Sequence, residues 1–494
     1  MQAKHWLLVA LGLLLTGWHG PALATQDREL AKFGAGDYWR DQALLEIIPF
    51  WIPTVDHKNG GYFTDVQNDG TIGKNPLKYP RMVSRLVYGF STAYLLSGDP
   101  QYLDLAKHGL DYLRDFGWDH QYGGWYTELD ADNRPTVATK DLFDQTYGNL
   151  GPVFYFYVTG DRDALQWVEK THQLLKTKAW DRQFGGYYAL VNRDWTVTET
   201  DKSFNSQVDT ATAYLIYDYL VTRDPALLED LKAIGGVIMR HMYDPKTGYI
   251  REQFDRQWNF IDNYLGHDQI DVGHNLKTAW VLLRLYQLTG QTQYLEFAQK
   301  IAATMTATAW DKRYYGWYFS KNVHRPAQGP NEKSKCWWTQ TEGNFMMLNL
   351  YRITKDRQYL DYFQKTSAFW DRHLVDHVHK EVYSYVSESG QPRPNSLKGN
   401  LYKSGYHSME HALMNYLYTR LYVQRGTADL YFRLSTATDG VKHYVTIIED
   451  PKVFIAKVTI DGKPWQDYDE NRGYIVLPKG EALKVKVTLG IRPE

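Results

Sequence analysis

The sequence predicts an all-α protein, an (α/α)6 barrel of six helical hairpins, with a small C-terminal β domain. Three observations carry that prediction. An aromatic-glycine motif recurs six times, a turn motif recurs out of phase with it, and every second helical segment is apolar nearly all round. The first motif reads "HKNGGYF" at Gly61, "WDHQYGGWY" at Gly124, "WDRQFGGYY" at Gly186, "YDPKTGYI" at Gly248 and "WDKRYYGWY" at Gly316. A weaker sixth copy, "VDHVHKEVY", stands at Glu381. Successive copies are 63, 62, 62, 68 and 65 residues apart. The second motif reads "LLSGDPQYL", "YVTGDRDAL", "LVTRDPALL", "QLTGQTQYL" and "RITKDRQYL", each copy lying between two apolar-periodic segments. Repeats of this kind are stacked supersecondary units. Six of them, with alternate helices apolar on all sides, favour a closed ring with those helices inside.

Taken in order, residues 1–24 read as a secretory signal: a basic start at Lys4, an apolar run from Trp6 to Leu15, and Ala22 and Ala24 before Thr25. The run is too short for a spanning helix, so the mature chain is expected in the periplasm or outside the cell, cleaved after Ala24. No cysteine follows that site to take a lipid anchor. Residues 25–426 form the barrel, with helices expected near 37–52, 81–97, 100–116, 143–159, 161–177, 205–221, 225–242, 270–289, 291–309, 335–353, 356–372 and 405–422. Residues 427–494 change character. "KHYVTIIED", "FIAKVTI" and "EALKVKVTL" are alternating or β-branched, with turns at "DGKPW" and "PKGEA", and predict a β-sandwich-like domain.

The 56 basic and 57 acidic residues balance. No overall field exists to hold nucleic acid or an anionic membrane, and no membrane insertion is expected. Cys336 is the only cysteine, so no internal disulfide forms. Aromatic residues reach 15%, with 17 Trp and 39 Tyr. Most fill the interior, and the remainder suit carbohydrate, whose C–H faces pack on flat rings.

Closure of the ring brings the N-terminal ends of all six inner helices to one rim. The first three contribute Arg81 and Arg85, then Asp141 and Asp144, then Asn205, Gln207 and Asp209. The fourth brings His274 and Lys277, and the fifth Trp337, Trp338, Gln340 and Glu342. The sixth adds Tyr406, His407, Glu410 and His411. Polar and aromatic groups gathered on one buried face make a ligand site. A metal is not expected, since neither an H-E-x-x-H stretch nor a Cys/His cluster occurs. No P-loop, dinucleotide fingerprint or nucleophile elbow is present. No cofactor is expected.

Four stretches together resemble the N-acylglucosamine 2-epimerase superfamily, which includes cellobiose 2-epimerases and mannose isomerases. They are "KYPRMVSRLVYGF" with Arg85, "VGHNLKTAWVLL" with His274, "KCWWTQTEG", and "YKSGYHSMEHAL" with His407. The resemblance runs over about 37–422. It implies a cofactor-independent sugar 2-epimerase or aldose–ketose isomerase. His274 and His407 would exchange the proton at C2 of an open-chain sugar, and Arg85 would steady the carbonyl oxygen. Asn205, Asp209, Lys277, Trp337, Trp338, Gln340, Glu342 and Tyr406 would contact the mono- or oligosaccharide.

Two departures stand out. Lys277 occupies the place of a glutamate that supports the first histidine in the family, and "NSQVD" puts Gln207 and Asp209 where the family often has histidines. A cation three residues on would lower the pKa of His274. A pairing acid for Lys277, such as Asp209 or Asp271, is expected, and Lys277→Glu should be tolerated. Two other readings of the rim are a glycoside hydrolase using acids among Asp144, Asp209, Glu342 and Glu410, and a non-catalytic glycan-binding protein.

Overall fold

Each glycine-aspartate turn acts as a paired stop and start signal. In the computed structural model, which describes residues 29–493, Gly98 and Gly160 end the inner helices Pro80–Ser97 and Leu142–Thr159 in the left-handed conformation. That conformation costs a side-chain-bearing residue about 1–2 kcal/mol. The next residues, Asp99 and Asp161, cap the outer helices Pro100–Tyr112 and Arg162–Leu174 by accepting from the backbone N–H groups of Gln101 and Asp163. Asp224 and Asp356 cap two further outer helices in the same way, Pro225–Val237 and Arg357–Phe369.

The twelve helical segments expected from the sequence are found among the described residues. The last inner helix, Tyr406–Tyr418, packs against both the fifth, Trp337–Thr354, and the first, Pro80–Ser97, which closes the ring. Tyr406 meets Tyr88 edge-on across that seam at 5.1 Å. One inner helix departs from expectation. Over 205–221 it opens with two widened π-type runs, Asn205–Asp209 and Ala211–Leu215, before Ile216–Thr222 becomes regular. Widened turns of this kind frequently mark functional sites, and Asp209 lies at the end of the first.

The aromatic-glycine motifs form tight hairpins, bridged at Trp118–Trp125, Trp180–Tyr187 and Trp310–Trp317. A glutamine from the following inner helix clamps each of these three. Gln340 accepts from the backbone N–H of Trp317 at 2.7 Å and donates to its carbonyl at 2.8 Å. Gln145 and Gln207 treat Trp125 and Tyr187 identically. This explains the glycine before the aromatic residue. A Cβ on Gly316 would lie 2.7 Å from the Gln340 carbonyl oxygen, and the backbone there has φ of 79°.

A buried lysine–aspartate pair ties five of the six units: Lys78–Asp56, Lys140–Asp119, Lys202–Asp181, Lys335–Asp311 and Lys398–Asp376. In the fourth unit Asp244 pairs with Arg251 instead, at 2.9 Å.

Beyond the barrel, Ala428–Thr436, Gly480–Ile491, Val453–Ile460 and Lys463–Trp465 form one antiparallel sheet in that order. Val441–Tyr444, Tyr474–Leu477 and Tyr468–Asp469 form a second. The link between Val441–Tyr444 and Val453–Ile460 runs under the C-terminal ends of the inner helices. Tyr157 donates to the Val445 carbonyl at 2.8 Å, and Arg284 to that of Ile447 at 3.1 Å. Glu449, buried, pairs with Arg284 at 3.1 Å and Arg352 at 2.8 Å. The β segment thus packs against the end of the ring away from the rim. Glu449→Ala strands two buried guanidinium groups, and a loss of about 3–5 kcal/mol is expected, read as a lowered denaturation midpoint.

The signal segment expected over 1–24 lies outside the described residues. Among the described residues no helix is long and apolar enough to cross a membrane.

Candidate active site

His274 opens the fourth inner helix, Val272–Thr289, where its backbone N–H is capped by Asp271 at 3.1 Å. Its ring stacks on Phe204 from the neighbouring unit, 3.9 Å between centres and 16° from parallel. Nδ1 lies 3.3 Å from Oε1 of Glu252, a buried carboxylate on the exit of the fourth hairpin. Burial alone would depress this histidine. The Asp271 and Glu252 carboxylates outweigh burial and the opposing Lys277, so the net effect is a raised pKa. The depression expected from Lys277 is therefore overridden, because two carboxylates face the ring while the lysine turns elsewhere.

Lys277 points into the ring. Its ammonium lies 3.0 Å from Asp209, 3.3 Å from the Tyr147 hydroxyl and 3.9 Å from Glu342. The expected pairing with Asp209 is present. Glu342 accepts a short bond from the Trp280 indole N–H, and burial pushes its pKa up to about 8. Oε1 of the same carboxyl stands 3.5 Å from Nδ1 of His407. His407 is itself buried, and burial, reinforced by Lys277, Arg85 and Lys403, holds its pKa well below the histidine range. Both imidazoles flank one indole, that of Trp338, at 5.4 Å for His274 and 6.0 Å for His407. The two histidines are thus biased in opposite directions, His274 toward imidazolium and His407 toward neutral imidazole.

Arg85 completes this group. Its guanidinium lies flat over Tyr147 at 3.8 Å and donates to the Tyr402 carbonyl at 3.0 Å. Among the described residues no carboxylate pairs with it, and its Nε, though buried, has no acceptor. A buried cation with an unused donor suits an oxygen on which negative charge develops. Tyr406 packs beside His407 at 4.5 Å and beneath Arg85 at 5.7 Å.

Several other rim residues are engaged by neighbouring parts of the ring. Both polar ends of Gln340 are taken by Trp317, so the expectation of a sugar contact there is corrected: the hairpin needs the amide. Gln207 is a clamp in the same way. Trp337 packs edge-on to Tyr385 at 6.2 Å and under the Lys403 ammonium at 5.6 Å, lining the wall behind His407. Asn205 stands half-buried at the start of the third inner helix. Arg81 and Asp144 pair with each other. His411 bonds to Asn344 at 2.8 Å among Trp39 and Trp370, and burial lowers its pKa to about 3. Replacing Gln340 by methionine leaves the Trp317 N–H and carbonyl unsatisfied. A stability loss of about 2–4 kcal/mol, seen in denaturant melts, is expected from two orphaned backbone groups.

Four residues escaped sequence reasoning: Glu252, Tyr147, Phe204 and Tyr264. The step of 68 residues was the available signal for two of them, because the extra length lies in the loop that follows Glu252 and carries Tyr264. The Tyr264 hydroxyl reaches Asp271 at 3.2 Å. Among the described residues no group of three or more His, Cys, Asp or Glu is arranged to hold a metal ion.

Comparison with known proteins gives the chain its family. The chain is 24% identical over 380 residues to the cellobiose 2-epimerase of Bacteroides fragilis, covering 74% of this chain and 95% of that protein. It is 24% identical over 379 residues to the D-mannose isomerase of Marinomonas mediterranea, covering 74% and 93%. The solved cellobiose 2-epimerase of Spirochaeta thermophila superposes with a TM-score of 0.71 at 22% identity, over 80% of this chain and 98% of its own. The sequence pattern of the N-acylglucosamine 2-epimerase (GlcNAc 2-epimerase) family matches residues 61–410, and the chain belongs to that family of sugar epimerases and isomerases.

Proposed function

We propose that the protein is a cofactor-independent carbohydrate 2-epimerase or aldose–ketose isomerase, exported by its N-terminal segment, which exchanges the C2 proton of an open-chain sugar between His407 and His274. One observation carries the reading: two imidazoles biased to opposite protonation states flank a single indole, close to a buried arginine that lacks a carboxylate partner.

The chemistry follows from that asymmetry. Neutral His407 accepts the proton alpha to the carbonyl, and the C–H electron pair moves through the C1–C2 bond onto the carbonyl oxygen. Arg85 donates to that oxygen as charge develops. The imidazolium of His274 returns a proton to the opposite face of C2, giving the epimer. Return to C1, after a hydrogen moves between the two oxygens, gives the ketose. A matched acid and base of this kind contribute about 10²–10⁴-fold each. Trp338, lying between the histidines, offers its face to the sugar ring, while Lys277, Asp209 and Tyr406 stand within the same group for its hydroxyls.

The pH dependence has a definite sign. Activity falls on the acid side when His407 gains a proton, well below the ordinary histidine value, and on the alkaline side when His274 loses one, at a pH raised from that value. A profile that falls on both sides of a maximum is expected in kcat/KM. The test of the function is product analysis by NMR on mannose, glucose, cellobiose and an N-acetylated sugar. Appearance of a 2-epimer or ketose from at least one supports the reading. Inertness toward all four, with reducing ends released from a polysaccharide, overturns it in favour of hydrolysis.

A further inference from the structure

The fourth unit breaks the pattern of the other five, and it is the unit that carries His274. Where Lys78, Lys140 and Lys335 precede their inner helices by two residues, this unit has Ile270. The clamp lysine is gone, and Asp244 has turned to Arg251. The connection to the inner helix is also longer. Gln253–Phe254 pairs with Phe260–Asp262, and residues 263–268 then carry Tyr264 back over the site. Glu252 sits beneath this loop with 2% of its surface exposed. Its carboxylate receives the backbone N–H of Asp271 at 3.2 Å and that of Tyr264 at 3.4 Å, and Oε1 stands 3.3 Å from Nδ1 of His274. Its backbone carbonyl accepts from Phe204, whose ring lies against the imidazole. One residue therefore reaches the cap, the loop, the backbone of the stacking residue and the histidine.

We infer that Glu252, with Asp271, is the positioning acid of His274, performing from the hairpin the support that Lys277 cannot give from the helix. This rests on the proposed proton exchange at C2. The warrant is geometric. A histidine that must point Nε2 at a substrate has its tautomer and orientation set by the acceptor at Nδ1. Here the group nearest Nδ1 is a carboxylate 3.3 Å away whose other contacts are already fixed; Nδ1 makes no aligned hydrogen bond to it, so the pair is coupled by charge and proximity. The charged and titratable groups facing His274 are Glu252 from the hairpin, Asp271 and Lys277 from its own helix, and Tyr264 from the loop. The neighbouring inner helices contribute Phe204 and Trp338, which carry no charge. Lys277 is committed to Asp209, leaving the two acids to decide the ring's state.

The test is Glu252→Gln in the full chain, with Asp271→Asn as a second variant, since asparagine also caps a helix. The first readout is the His274 ring titration by NMR on histidine-labelled protein without sugar. In Glu252→Gln the midpoint should fall by about one pH unit or more, as loss of an adjacent carboxylate does. The alkaline limb of kcat/KM should move down with it. Glu252→Asp should restore both partly, which a purely structural role would not do. A titration midpoint and an alkaline limb that stay in place in both variants, with thermal unfolding unchanged, overturn the inference. If the wild-type protein converts no sugar, the proposed chemistry fails, yet the sugar-free titration still decides whether Glu252 governs His274.

Discussion

His407→Asn lowers turnover by about two to four powers of ten at neutral pH, and His274→Asn does the same, with KM changed much less. On the proposed mechanism each variant removes one of two proton carriers. Glu342 stands behind His407 at Nδ1, and Glu252 stands behind His274 at Nδ1. Neither carboxylate substitutes for the ring it backs. The two variants should also differ from each other. With His274 intact, the His407 variant retains the imidazolium that donates, and with His407 intact, the His274 variant retains the base that abstracts. His274→Asn should therefore still allow slow exchange of the C2 hydrogen with solvent without net epimerisation, whereas His407→Asn should allow neither from the same sugar. Turnover within threefold of the wild type in either variant contradicts the assignment.

Lys277→Glu is expected to abolish activity and to destabilise the fold by about 3–5 kcal/mol, the cost of breaking a buried pair from one side. Sequence comparison alone suggests the opposite, since glutamate is the family residue at that place. The structure supplies the reason for the reversal. The ammonium is the counter-ion of Asp209 at 3.0 Å and lies 3.9 Å from the Glu342 carboxyl, all three groups being buried. Reversing its charge would bring three carboxyl groups together without a cation. The family pattern this chain resembles has glutamate at position 277 and often histidine at position 209, whereas this chain carries lysine and aspartate there, 3.0 Å apart. The double variant Lys277→Glu with Asp209→His should therefore recover stability that the single variant loses. A coupling of about 1–3 kcal/mol between the two positions is the expected result of the double-mutant cycle. Additive losses would show that the two residues are not a pair.

Much of this was legible in the sequence, for reasons that differ by residue. The hairpins and their turns were readable because Gly124, Gly186 and Gly316 sit where the backbone requires glycine, and because Asp99 and Asp161 cap helices through purely local bonds. The convergence of Arg85, His274, Lys277 and His407 was readable because each lies on an inner helix at the rim, so ring closure alone brings them together. Gln340 was misread for the same reason. Its position is right for a ligand contact, but periodicity does not reveal that a neighbouring hairpin has two unsatisfied backbone groups to fill. Glu252 and Tyr264 were missed because they belong to a loop that breaks the repeat, and their contacts with His274 are long-range. Tyr147 was hidden because nothing in the sequence sets it apart from Tyr155 and Tyr157 on the same helix. It emerges only once Arg85 is seen lying on its ring.

The central claim, proton exchange at C2 between two histidines, is tested most directly by running the reaction in deuterium oxide and locating the label by NMR. The account predicts deuterium at C2 of the epimerised product, or at C1 of a ketose, with no label at C3 or beyond, and predicts that label to disappear in His407→Asn. Epimer formed with the original hydrogen retained at C2, or label incorporated at the wild-type rate in the His407 variant, would contradict it.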